Sequence, residues 1–228
     1  MNSNPKKEIP VLFENDSLFI INKPAGISVQ GGAGISNCII DILERQCAAK
    51  LFPVHRLDKE TSGVLVIAKT SQAAAEYSKI LQAKTIVKEY RAVCFYAPPK
   101  QRGSIRTPLR ENGTEKTAVT DYRVLKKTEN HSYLSLALHT GRKHQIRIHL
   151  ASLGCPIILD DKYGDFKQNK ALQKAFGIKK MQLSAYSLTL PLDGKSRQII
   201  APLPAHMTEA LEKLELGGGT CNPVRDAL

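Results

Sequence analysis

The stretch His55-Arg56-Leu57-Asp58-Lys59-Glu60-Thr61-Ser62-Gly63 runs directly into Val64-Leu65-Val66-Ile67-Ala68. The second segment is apolar at every position, the pattern of a strand buried on both faces. The first is polar and closes on glycine, so it reads as a turn at the N-terminal end of that strand. A rigid strand end is a place where reactive side chains can be held out toward a ligand. The turn offers cations, carboxylates and two hydroxyls. By itself it is equally a solvated turn whose Asp58, Thr61 and Ser62 bond the local backbone.

Outward from this point the chain alternates short strands with a few helices. Residues 11–22 predict two strands around an Asn15-Asp16 turn, ended by Lys23-Pro24-Ala25-Gly26, where proline removes a ladder donor. Gly31-Gly32-Ala33-Gly34 lacks the phosphate-loop spacing and reads as a flexible connection. Ser36 is a candidate cap for a helix to about Ala49, and Thr70 or Ser71 for another that ends before Thr85. Residues 86–96, 117–125 and 132–139 have strand character, with Leu134, Leu136 and Leu138 on one face. Residues 144–153 fit either an alternating strand or a helix, and the following Gly154 and Pro156 favour helix. Residues 181–190 and 197–201 read as strands, and 208–216 as a terminal helix. The whole predicts an α+β fold, with residues 1–10 a flexible N-terminus, 11–216 one folded domain and 217–228 a mobile tail.

Charge sets the class of partner. The 33 Lys+Arg against 21 Asp+Glu give a net charge of +12, which favours a polyanion such as nucleic acid. No apolar run approaches the length of a membrane span, and no signal-peptide core follows the N-terminal lysines. The five cysteines contain no C-x-x-C pair, so they read as reduced, mostly structural thiols in a cytoplasmic protein, and no zinc-finger spacing is present. The lysines scattered over 79–88, 126–127 and 167–180 read as a solvated basic face.

The turn at 55–63 resembles the H-R-L-D-x-x-T-S-G signature of the RluA-type pseudouridine synthases. Lys23-Pro24-Ala25-Gly26 is similar to that family's K-P-x-G turn, and Lys88-Glu89-Tyr90-Arg91-Ala92-Val93 to its K-x-Y-x-A-x-V strand. Thr140 to Ala151 resembles its T-G-R-x-H-Q-I-R-x-H-L-A segment, followed by Gly154, Pro156-Ile157, Asp160 and Tyr163-Gly164. The motifs stand in the family order over about residues 11–205. Two positions depart from the pattern. Leu159 stands where the family has glycine before the aspartate, and Ser184 replaces the histidine of a late L-H-A element.

The resemblance implies a pseudouridine synthase fold, a mixed and mostly antiparallel central sheet flanked by helices and loops with a catalytic cleft. It implies an isomerase that breaks a uridine N-glycosidic bond, turns the base and rejoins it through carbon. That chemistry calls for no redox step, energy source, cofactor or metal. A carboxylate can act as covalent nucleophile, and the resemblance gives this role to Asp58. It gives Arg147 the pairing with that carboxylate, expected as a bidentate bond. Tyr90 becomes the ring that stacks on the uracil and a group for proton transfer, starting neutral at pH 7. Leu183 becomes the apolar wall of the base pocket.

Substrate-binding candidates are His55, Arg56, Leu57, Arg142, His144, Gln145 and Leu183. Arg56 can fill the space left by a flipped base, and Arg142 and Lys143 adjoin a predicted helix N-terminus that favours phosphate. His144 and Gln145 can bond RNA or brace their own turn. With no room before residue 11 for an S4-like module, recognition is expected from the catalytic domain itself, on a tRNA stem-loop or an rRNA hairpin. The protein is expected to act as a monomer. Two other classes compete: a non-catalytic RNA-binding protein or chaperone, and a hydrolase using Asp58 with His55 or His144.

Overall fold

The computed structural model describes residues 8–32, 37–83 and 86–217. The expected flexible N-terminus and mobile tail therefore lie largely outside the described residues, although Ile9 is buried in the core. Twelve strands and five helices occur among the described residues. In chain order they are β1 (Val11–Glu14), β2 (Leu18–Lys23), α1 (Ile39–Cys47), β3 (Phe52–Pro53), β4 (Ser62–Ala68), α2 (Ser71–Gln82), β5 (Lys88–Phe95), β6 (Arg102–Ile105), β7 (Leu109–Glu111), β8 (Thr114–Lys116), β9 (Thr120–Lys127), β10 (His131–Leu138), α3 (Gln145–Ser152), α4 (Phe166–Phe176), β11 (Leu183–Leu192), β12 (Lys195–Ile200) and α5 (Ala205–Lys213). The fold is α+β, as expected.

Ten strands form one mixed sheet along the path β1-β2-β4-β11-β5-β10-β9-β6, with β12 on β11 and β3 on β4. Every named pairing is antiparallel except β4 with β11, which runs parallel over Ser184↔Ser62 and Ala185↔Gly63. That short parallel pairing joins an N-terminal half of the sheet to a C-terminal half. Both faces of each half are covered. In the N-terminal half α1 packs on Ile21, Leu65 and Ile67, while α2 packs on Ile20, Val64 and Val66 through Ala73 and Leu81. This double burial is why β4 is apolar at every position from Val64 to Ala68. In the C-terminal half Ile146 and Leu150 of α3 pack on Leu134 and Leu136. Leu172 of α4 and Leu211 of α5 cover Val93 and Tyr133 on the opposite face.

Several local expectations are corrected. Ser36 lies outside the described residues; the cap position of α1 is Cys38, whose N–H donates to Asp41 Oδ2 at 3.0 Å. The lysines of 167–180 are exposed, as expected of a solvated face, but most of them stand on a helix that was not anticipated, α4, capped by Asp165 accepting from the Gln168 N–H and ended by Gly177 at φ 69°. Strands β6 to β8 are additional, with β7 and β8 a separate hairpin around Asn112-Gly113. Residues 145–152 are helical, as Gly154 and Pro156 indicated. Cys38, Cys94 and Cys155 are buried free thiols and Cys47 an exposed one; Cys221 lies outside the described residues.

Candidate active site

The turn at 55–63 is pinned from below by Lys23. Its ammonium is buried and donates to the carbonyls of Pro24, Lys59 and Thr61 at 2.9, 3.0 and 2.8 Å. Burial pulls its pKa down to about 8, against the opposing pull of Glu60 and Asp58. The Gly26 N–H donates to the Lys59 carbonyl at 2.8 Å, and the Thr61 N–H to the Asp58 carbonyl at 3.1 Å. Leu57 is buried against the α1 side of the sheet. Gly63 has φ 107°, and a Cβ there would lie 2.1 Å from the Ala185 carbonyl oxygen. With its backbone held at these points, the turn leaves Asp58 facing outward, its side chain 24% exposed.

The facing wall comes from α3 and the segment after it. Arg147 Nη1 lies 3.4 Å from Asp58 Oδ2, a single long contact. The bidentate bond expected there is made instead with Asp160, Nε to Oδ2 at 2.7 Å and Nη2 to Oδ1 at 2.8 Å. Asp160 is wholly buried, and a buried carboxylate requires such a partner. Nη2 also donates to Asp161 at 2.8 Å. Burial would lower the Arg147 pKa, but the hydrogen bonds and charges of Asp160, Asp58 and Asp161 outweigh it and raise the value. Arg147 pulls the Asp160 carboxyl below its usual range, together with the N–H groups of Tyr163 and Lys162 and against the effect of burial.

His144, in left-handed backbone at φ 56°, sets its Nε2 3.6 Å from Asp58 Oδ1 and its Nδ1 3.0 Å from the Tyr163 hydroxyl. Tyr90 on β5 and Leu183 on β11 complete a cavity of about 270 Å³ with Asp58 and Arg147. Burial raises the Tyr90 pKa further above its ordinary value, and the charge of Asp58 adds to this, so the phenol keeps its proton at neutral pH. Arg56 is exposed at the rim. A wider mouth of about 540 Å³ opens beside it, carrying Lys59, Lys143 and Lys162. Arg142 also borders the 270 Å³ cavity, near Glu111 of the β7–β8 hairpin at 3.9 Å.

Two candidate residues have other occupations. Gln145 is buried: its oxygen accepts from the Thr140 hydroxyl and the Arg142 N–H, and its nitrogen donates to the Val119 carbonyl and Thr120 Oγ1. It braces the turn before α3. His55 borders a neighbouring groove rather than the Asp58 cavity, and its Nε2 accepts the Val66 N–H at 3.0 Å. Among the residues that sequence reasoning left without a role, Lys23, Asp160 and Tyr163 sit closest to the chemistry. All three stand in the quoted motifs, which was the available signal.

The two departures also find places. Leu159 has φ 60°, a conformation that favours glycine. Ser184 is buried between Leu183 and Ala185 on β11, and alternation turns it to the opposite side of the sheet from Leu183.

The brace at His55 has a pH consequence. Burial, aided by Lys88, pushes its pKa down to about 4. The unfolded chain takes up this proton near pH 6.5 and the folded chain only near 4, so acid favours unfolding through that window. His55→Gln, which keeps an acceptor for Val66, is expected to recover about 2 kcal/mol of the stability lost between pH 6.5 and 4.5. Thermal melts across that range check this. A pH slope identical to wild type would remove His55 as its source.

Residues 17–152 match a family model described as RNA pseudouridylate synthase. The ribosomal large subunit pseudouridine synthase C of Vibrio cholerae is 34% identical over 217 residues, 90% of this chain and 69% of that protein. A ribosomal large subunit pseudouridine synthase D of Zymomonas mobilis is also 34% identical, over 231 residues, 90% of this chain and 73% of the relative. Among solved structures, human RNA pseudouridylate synthase domain containing 4 superposes with a TM-score of 0.78 at 28% identity, covering 90% of this chain and 93% of its own.

Proposed function

Since the chain belongs to the RNA pseudouridylate synthase family and is an RNA-modifying isomerase, we propose that it converts a specific uridine of structured RNA to pseudouridine with Asp58 as nucleophile. The observation that supports the assignment is that Asp58 lines a 270 Å³ cavity together with Tyr90, Leu183 and Arg147. The names of the relatives favour large-subunit ribosomal RNA as the substrate, with a tRNA stem-loop as the second reading. The net charge of +12 and the lysines at the mouth suit a phosphate backbone.

Isomerisation breaks the bond from N1 to C1′, turns the base and forms a bond from C5 to C1′, after which C5 gives up its proton and N1 carries one instead. A carboxylate adding covalently to the substrate divides the hard step in two. The long contact from Arg147 steadies the charge of Asp58 without occupying both its oxygens. A base must leave its stack to enter so small a cavity, which costs a few kcal/mol. Arg56, exposed at the rim, is available to fill the vacated space. Tyr90 and Leu183 take the base between them, and the protonated phenol serves in proton transfer. Binding alone has no use for a half-buried carboxylate in this position.

Incubating the purified protein with total RNA and mapping pseudouridine tests the reading. Intact chains with isomerised uridine are expected, and RNA from cells lacking the gene is expected to lose that modification. RNA bound without modification would point to a binding protein, and released uracil or cleaved chains to a hydrolase. Tyr90→Phe keeps the ring and removes the hydroxyl. It is expected to lower kcat about 100-fold with little change in KM, and a kcat equal to wild type would remove the phenol from proton transfer.

A further inference from the structure

We infer that the segment Asp160 to Tyr163 is a positioning element for the nucleophile, acting through Arg147 on one side of Asp58 and through His144 on the other. The inference rests on Asp58 being the nucleophile. A guanidinium is a rigid plane of five N–H donors. Once Nε and Nη2 are engaged by Asp160, the plane is fixed and Nη1 is turned to Asp58 at 3.4 Å. The same engagement denies Asp58 a forked pair with Arg147, which would tie up both of its oxygens. Asp160 thus supplies the charge that holds Arg147 and limits it to one long contact with Asp58.

The second arm is Tyr163. Its hydroxyl lies 3.0 Å from His144 Nδ1, and its ring stands 5.3 Å from the Arg147 guanidinium. A phenol donating to Nδ1 leaves the proton of a neutral imidazole on Nε2, the nitrogen that faces Asp58 at 3.6 Å. Burial lowers the His144 pKa, and Arg147, Lys162 and Lys143 add to this against the pull of Asp58. With that tautomer an N–H group faces each oxygen of Asp58, at 3.4 and 3.6 Å, and both are set by one short segment.

That segment is itself held rigidly. Asp160 Oδ1 accepts the N–H groups of Lys162 and Tyr163, both at 2.9 Å. Asn169 of α4 accepts the Leu159 N–H at 2.8 Å and donates to the Asp160 carbonyl at 3.1 Å. A Cβ at Gly164 would lie 2.4 Å from that carbonyl oxygen and 2.9 Å from Asn169 Nδ2, so the chain returns too closely for any side chain.

Asp160→Asn and Tyr163→Phe test the inference in single-turnover and steady-state assays on RNA that the wild type modifies. Each is expected to lower kcat at least tenfold with KM within twofold of wild type. In nitrogen-15 spectra of the histidines, Tyr163→Phe is expected to abolish the preference of His144 for the Nε2–H form. If Asp160→Asn does not fold, Tyr163→Phe still decides, because it removes a single hydroxyl. Folded variants with wild-type kcat, or an unchanged His144 tautomer, would overturn the inference. If they keep full rate while Asp58→Asn is dead, this inference alone fails. Full activity in Asp58→Asn would instead bring down the nucleophile assignment beneath it.

Discussion

Asp58→Asn is expected to reduce pseudouridine formation by about 10⁴-fold or more, the scale on which enzymes lose rate when a covalent nucleophile is removed. The amide has nearly the same shape and leaves the backbone contact from the Thr61 N–H in place. It does not strand the facing cation either. Arg147 retains its forked pair with Asp160 and its contact with Asp161, so the large penalty for an unpaired buried charge does not arise. The melting temperature and the affinity for RNA should therefore stay near those of wild type while the chemistry stops. Quantifying pseudouridine after incubation with RNA, beside a melt and a binding curve, checks all three. Turnover within tenfold of wild type would rule Asp58 out as the nucleophile.

Gly63→Ala is expected to be the most damaging small substitution in the fold. Two costs add. The backbone sits at φ 107°, where a side chain is strained. The new carbon would also stand 2.1 Å from the Ala185 carbonyl oxygen and 2.7 Å from its carbonyl carbon. Backbone atoms cannot rotate away, so β4 and β11 must separate. Their pairing spans only Ser184↔Ser62 and Ala185↔Gly63, which leaves little to hold the halves in register. A loss of about 3 kcal/mol or more is expected, from strain and overpacking together. Denaturant titration measures it, and a midpoint matching wild type would show that the strands tolerate the methyl group. Activity should vanish with the pairing, because Asp58 stands on one side of it and Tyr90 and Arg147 on the other.

Sequence patterns carried much of this, unevenly. The apolar run of β4 and the Gly154-Pro156 stop were legible because burial and backbone geometry act on neighbouring residues. The motif positions brought Asp58, Tyr90, Arg147 and Leu183 to one cavity. What was not legible was pairing across space. Arg147 was read as the bidentate partner of the wrong carboxylate, because spacing does not reveal which of Asp58 and Asp160 approaches to 2.7 Å. Gln145 and His55 carry the same chemistry whether they meet RNA or a backbone group, and the chain bends so that backbone wins. Helix α4 hid because only Asn169 and Leu172 of it are buried, which leaves its lysines to dominate the pattern. Its cap at Asp165 and its stop at Gly177 were nevertheless present in the sequence.

The parallel pairing of β4 with β11 also sets a clock. A ribosome adding ~5–20 residues per second delivers β11 roughly 6–24 s after β4, since about 120 residues separate them. Through that interval the emerging chain carries Asp58 but has no β11 beside which to complete the cavity. Because Asp58 precedes β4 and Leu183 stands on β11, the cavity is completed only after most of the sheet has been made.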